Sequence, residues 1–157
     1  MSGAFEAELD EAGLVALARR LAAHLGDGGV IHLHGDLGAG KTTFARAMLG
    51  VLGVGARIKS PTYSLIESYE ANGLRAHHLD LYRIAAPDEL EFLGLSDLAA
   101  GRFLLLVEWP ERGGNVLPAP DLVAHFAHAG AKRRLRLESR TKRGVHWLGI
   151  LGGQAPA

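Results

Sequence analysis

The sequence predicts a single α/β domain, a three-layer fold built on a mixed central sheet. Three observations carry this. Apolar residues change between a helical and a strand period several times along the 157 residues. A short strand pattern passes through a glycine-rich stretch directly into a helical one. Phe103-Leu104-Leu105-Leu106-Val107 is a continuous apolar run, as expected of a strand covered on both faces. The length suits one domain, expected over residues 1–150, with 151–157 as a flexible tail.

Taken in order, Leu14, Leu17, Ala18, Leu21 and Leu25 recur at three- and four-residue steps and predict an amphipathic helix over 11–25. Gly26-Asp27-Gly28-Gly29 ends it, and Val30-Ile31-His32-Leu33-His34 reads as a strand. Gly35-Asp36-Leu37-Gly38-Ala39-Gly40 follows as a loop, then a helix over 41–52. Residues 57–62 are expected to be extended, because residues before a proline avoid the α region. Residues 63–70 and 74–82 read as two strands joined at Ala71-Asn72-Gly73, since Asn-Gly favours a tight hairpin. Pro87-Asp88-Glu89-Leu90 opens a helix that continues in pieces to Leu98. Residues 103–109 form a strand ending in Glu108, and 110–120 a loop with one helical turn. Short, more polar segments over 121–128, 133–138 and 145–148 complete the chain.

Composition narrows the function classes. Seventeen basic side chains against seventeen acidic ones give a net charge of zero, which argues against a generally basic nucleic-acid binder. The balance hides a gradient: residues 1–100 hold 8 basic and 13 acidic groups, residues 101–157 hold 9 and 4. With no cysteine, thiolate metal sites, iron–sulfur clusters and cysteine nucleophiles are excluded, and a reducing cytoplasm fits. No apolar run approaches the roughly 20 residues of a membrane-spanning helix, and no export signal is visible at the acidic N-terminus.

The chemistry begins at Gly35-Asp36-Leu37-Gly38-Ala39-Gly40-Lys41-Thr42, which matches G-x-x-x-x-G-K-[ST] in full. Glycines let successive amides turn inward around phosphates, and the helix that starts at Lys41 points its positive end at the same anion. Lys41 is placed to reach the β- and γ-phosphates and the Thr42 hydroxyl to reach Mg²⁺. The fold class is therefore that of the P-loop nucleotide-binding domains. The strand ending in Glu108 could deliver a carboxylate to the same metal. In His78-Leu79-Asp80-Leu81-Tyr82-Arg83, strand alternation sets His78, Asp80 and Tyr82 on one face, so Asp80 could orient a water or serve the metal shell. Ser60-Pro61-Thr62 lies where P-loop proteins place a hydroxyl near the γ-phosphate.

In this order and spacing, Gly35 to Thr42 with Thr43, Ser60-Pro61-Thr62, the His78 to Arg83 block and Leu106-Val107-Glu108-Trp109 resemble the TsaE (YjeE) family. These are small bacterial ATPases required for making threonylcarbamoyladenosine in tRNA. The resemblance implies ATP and Mg²⁺ as ligands. It also implies phosphate binding by Gly35, Gly38, Ala39, Gly40, Lys41, Thr42 and Thr43, and metal binding by Thr42 and Glu108. Catalysis would fall to Asp80, Lys41 and the switch-like Thr62, with Trp109 beside the site. It further implies TsaD-like and TsaB-like partners, with tRNA reached indirectly through them, no membrane, and a cytoplasmic location. ATP hydrolysis would reset that complex, leaving the carbamoyl chemistry to the TsaD-like partner.

Other readings are weaker. No guanine-specifying [NT]-K-x-D is present, because Thr141-Lys142-Arg143-Gly144 lacks the acid. A small-molecule kinase using the same loop is the alternative, although the chain leaves little room for an acceptor pocket and lid. A nucleotide-gated module whose hydrolysis awaits a partner is the third. His32 and His34 share a strand face and are expected to be packed rather than to bind metal, while His77 and His78 point to opposite faces. The basic run Lys132-Arg133-Arg134-Leu135-Arg136, with Arg140, Lys142 and Arg143, could touch tRNA, ATP or an acidic partner, or form a solvated edge strand whose charges discourage aggregation.

Overall fold

The computed structural model describes residues 3–53, 57–58, 66–71, 73–92, 94–98 and 101–153. The strands are β1 (Ala4–Leu9), β2 (Gly29–Gly35), β3 (Arg57–Ile58), β4 (Ile66–Ala71), β5 (Leu74–Asp80), β6 (Phe103–Glu108), β7 (Leu122–Ala129) and β8 (Lys132–Ser139). The helices are α1 (Glu11–Ala22), α2 (Lys41–Val51), α3 (Asp88–Phe92), α4 (Leu95–Leu98) and α5 (Lys142–Gly153). The strands form one mixed sheet in the order β1-β8-β7-β2-β6-β5-β4-β3. Its centre, β7-β2-β6-β5, is parallel, and antiparallel pairs flank it on both sides. The mixed-sheet α/β architecture read from the sequence is the one observed.

Two apolar layers hold the helices to the sheet. On one face, Leu14, Leu17 and Leu21 of α1, Phe44 and Met48 of α2 and Trp147 of α5 meet Ile31, Leu33, Leu104, Leu106, Leu135 and Leu137. On the other, Leu90, Leu95 and Leu117 cover Val30, Leu79, Leu105 and Val107. Strand β6 lies between these layers, which is why its sequence is continuously apolar. Asp10 caps α1, its carboxylate accepting from the Gly13 amide at 2.7 Å. Among the described residues no helix is long and apolar enough to cross a membrane.

Several local expectations are corrected. Residues 4–9 form an edge strand, in which Phe5, Ala7 and Leu9 are more buried than their Glu neighbours. The basic run sits on β8, which is not an edge: β1 and β7 pair with it on either side. Its alternation buries Leu135 and Leu137 and leaves Arg134 and Arg136 exposed, near Glu8 at 3.7 Å and Glu138 at 3.4 Å. Residues 142–153 are helical, with Leu151 fully buried, so the packed domain extends past 150 and its apolar contacts hold the start of the expected tail. The loop after β6 contains two 3-10 turns, Pro110–Arg112 and Gly114–Val116. The hairpin of β4 and β5 is present, while Asn72 and Ser60-Pro61-Thr62 lie outside the described residues.

Candidate functional site

The parallel strands β2, β5 and β6 end side by side, and in such sheets ligands bind outside the carboxyl ends of the strands. From β2 the chain enters the glycine loop. Gly35 has φ +150°, and a Cβ there would lie 2.6 Å from the Phe126 carbonyl oxygen, so the backbone passes against β7 as only glycine can. Gly40, at φ +109°, turns the chain into α2, whose N-terminus no side chain caps. The first turn of α2 is thus free to face an anion.

Lys41, Thr42, Glu108 and Asp80 converge in one cleft of about 270 Å³ with Gly38, Gly40, Thr43, Tyr82 and Trp109. The Thr42 hydroxyl lies 2.9 and 2.8 Å from the two carboxylate oxygens of Glu108. Glu108 is only 3% exposed, yet its pKa is lowered. Burial alone would raise it, and the hydrogen bond and charge of His78, the Thr42 hydroxyl and the Lys41 charge outweigh burial. His78 Nε2 is 2.6 Å from Glu108 Oε2. Asp80 stands opposite Glu108 in the β5–β6 register, and its Oδ1 accepts from the Tyr82 amide at 3.1 Å, which turns the chain out of the strand.

Lys41 is 4% exposed and donates to the Gly35 carbonyl oxygen, with Nζ 3.6 Å from the centre of the Trp109 ring. Burial lowers its pKa, and the charges of Glu108, Glu111, Asp80 and Asp36 oppose that. Trp109 has φ 58° and ψ 50°, a left-handed conformation costly for a bulky residue. Its amide donates to the Leu33 carbonyl at 3.3 Å, and Tyr82 packs 5.0 Å from its ring, so β2, β5 and β6 together hold it over the loop. This strain sits at the cleft wall.

Of the expected phosphate ligands, Gly38, Gly40, Lys41, Thr42 and Thr43 line the cleft. Gly35 receives Lys41 and Ala39 is buried in the core, so these two can contribute backbone only. Glu11 and Leu14 of α1 and Ala131 of the β7–β8 turn, which were not foreseen, also line the cleft, together with Arg133 from the basic run that the sequence left open to ATP. Strand alternation sets Arg133 on the same face as Leu135 and Leu137, but only the tertiary fold brings it beside residues nearly a hundred positions away. His34 stacks on His125 at 5.3 Å, and His77 Nδ1 lies 2.8 Å from Ser68 Oγ. Among the described residues no three His, Asp or Glu cluster as a metal cage.

The model of the family "Threonylcarbamoyl adenosine biosynthesis protein TsaE" matches residues 9–136. The chain belongs to the TsaE family. It is 42% identical over 115 residues to the tRNA threonylcarbamoyladenosine biosynthesis protein TsaE of Haemophilus influenzae, covering 73% of each chain. It is 39% identical over 119 residues to the protein of that name from Bacillus subtilis, covering 76% of this chain and 74% of the relative. The crystal structure of Bacillus subtilis YdiB superposes with a TM-score of 0.80 at 28% identity, covering 99% of each chain. As a TsaE-family protein the chain belongs with tRNA threonylcarbamoyladenosine biosynthesis, and its P-loop-like fold suits nucleotide binding.

Proposed function

We propose that this chain is a Mg²⁺-dependent ATPase that supports turnover of a TsaD-like and TsaB-like complex in the cytoplasm. One observation supports this most strongly: the Thr42 hydroxyl and the Glu108 carboxylate are hydrogen-bonded at the mouth of a complete phosphate loop, with Asp80 on the next strand end. This hard-oxygen pair fits Mg²⁺, which takes one or two protein ligands and completes its shell with phosphate and water. When bound, Mg²⁺ would supply neutralisation of the negative charge on the phosphates.

The chain's own residues do the rest. Loop amides and the first turn of α2 bind the phosphates. Lys41 leaves the Gly35 carbonyl and the Trp109 face to meet developing charge on the γ-phosphate. Asp80 accepts a hydrogen bond from the attacking water and orients it in line. The nucleoside extends toward Glu11, Leu14 and Arg133, which line the same cleft. Thr62 is proposed to approach the γ-phosphate from the segment after β3. Contact with tRNA would be indirect, through the partners.

The test is phosphate release from ATP by the purified chain, with and without Mg²⁺ and the two partner proteins. Slow, Mg²⁺-dependent release that rises when the partners are added is expected. Release indifferent to the partners would refute the supporting role, and transfer of the phosphoryl group to a metabolite would favour a kinase.

A further inference from the structure

The His-x-Asp-x-Tyr-Arg block contains a side chain that the proposed reaction leaves unused. His78 is 4% exposed and lies between two carboxylates: Nε2 is 2.6 Å from Glu108 Oε2, and Nδ1 is 3.5 Å from Glu67 Oε1. The arrangement follows from the sheet. Glu67 on β4 stands directly opposite His78 on β5, and His78 pairs with Leu106 on β6, two residues before Glu108. Period-two alternation then sets Glu67, His78 and Glu108 on one face of three neighbouring strands.

The hydrogen count explains what His78 does there. An ionised carboxylate only accepts, and a hydroxyl has a single proton to give. Thr42 Oγ1 is near both Glu108 oxygens but can serve one of them at a time. Oε2 therefore takes its second donor from the Nε2–H of His78, behind the cleft wall. With one oxygen held from behind, the carboxylate plane is fixed and its remaining lone pairs face the cleft. Metal-binding carboxylates depend on such outer partners for their orientation.

We propose that His78 is a positioning residue, which holds the Glu108 carboxylate and, through it, the Thr42 hydroxyl in the orientation that receives the divalent cation. His78 Nδ1 makes no hydrogen bond among the described residues, so the ring acts through Nε2. This rests on the reading of Thr42 and Glu108 as the cation's ligands.

The experiment measures binding of a fluorescent, non-hydrolysable ATP analogue to the full chain, in EDTA and across a Mg²⁺ titration. Native protein, His78→Gln, His78→Asn and Glu108→Gln are compared. Glutamine carries an amide N–H near the place of Nε2, whereas the asparagine amide falls short of it. Asparagine should raise the Mg²⁺ midpoint by about 10–100-fold and glutamine by no more than about threefold, the range typical of lost and retained outer partners. Affinity in EDTA should stay within about twofold in both, because neither variant touches the phosphate loop. Equal midpoints for native, His78→Asn and His78→Gln, with the Mg²⁺ effect lost only in Glu108→Gln, would overturn the positioning role. A Glu108→Gln midpoint equal to the native one would overturn the metal-site reading itself, and the inference with it.

Discussion

Replacing Thr42 by valine keeps the shape of the side chain and removes the hydroxyl that Glu108 accepts from. The structure sets the size of the effect. Glu108 is almost wholly buried, and the hydroxyl lies 2.9 and 2.8 Å from its oxygens. One hydrogen bond to a buried charge, left unmade, costs about 1.5–3 kcal/mol. In a domain of this size that lowers Tm by about 3–12 °C. The pH dependence has a definite sign. The folded-state pKa of Glu108 is depressed, despite the burial that raises it, by His78, Thr42 and Lys41. Such a group stabilises the fold above the ordinary carboxylate pKa and loses that contribution as pH falls through the folded value. Thermal unfolding followed by circular dichroism should therefore show the full valine penalty near neutrality and a shrinking one in acid. Thr42→Ser should restore the native Tm. An unchanged Tm for Thr42→Val at neutral pH, or a penalty independent of pH, would refute the reasoning.

Three further outcomes follow from the same geometry. Asp80→Asn should bind nucleotide normally while hydrolysis falls by about 10²–10⁴-fold, the usual worth of a positioned acid or base; a native kcat would remove Asp80 from the mechanism. In a Trp147→Phe background, ATP should change the emission of Trp109 as Lys41 leaves its ring, whereas AMP should not, and a silent titration with ATP would contradict that movement. His32, its pKa lowered by burial and by neighbouring His34 to about 4, stays neutral in the fold. The stability this gives is present above the ordinary value of 6.5 and is lost as pH falls toward 4. His32→Phe should therefore remove about 1–2 kcal/mol of the destabilisation between about pH 7 and pH 5, read from urea midpoints; an unaltered pH profile would count against it.

The elements legible in the sequence were those whose pattern is local. The periodicity of α1, the glycine loop, the apolar run of β6 and the Asn-Gly signal each declare themselves within a few residues. What stayed hidden depends on long-range packing. Strand β1 is short and weakly apolar, and it is stabilised by pairing with β8 more than a hundred residues away. Helix α5 carries Gly144, Gly149, Gly152 and Gly153, poor helix formers, and its helical state comes from packing Trp147 and Leu151 into the core. The basic run looked like an edge strand because nothing in it reveals that β1 will pair with its far side. At the site, Lys41, Thr42, Asp80 and Glu108 could be named because each ends or begins a recognisable element. Arg133 and Glu11 reach the cleft only through the sheet order, and His78 gains its place by lying between Glu67 and Glu108 on adjacent strands.

The account rests on the cleft between the phosphate loop and Glu108 being the place where ATP is held and cleaved. The most direct measurement is single-turnover release of the γ-phosphate from ATP by the native chain and by Lys41→Ala, each with Mg²⁺ and with EDTA. The native chain should release phosphate only with Mg²⁺, and Lys41→Ala in neither condition. Release by Lys41→Ala at the native rate would contradict the account.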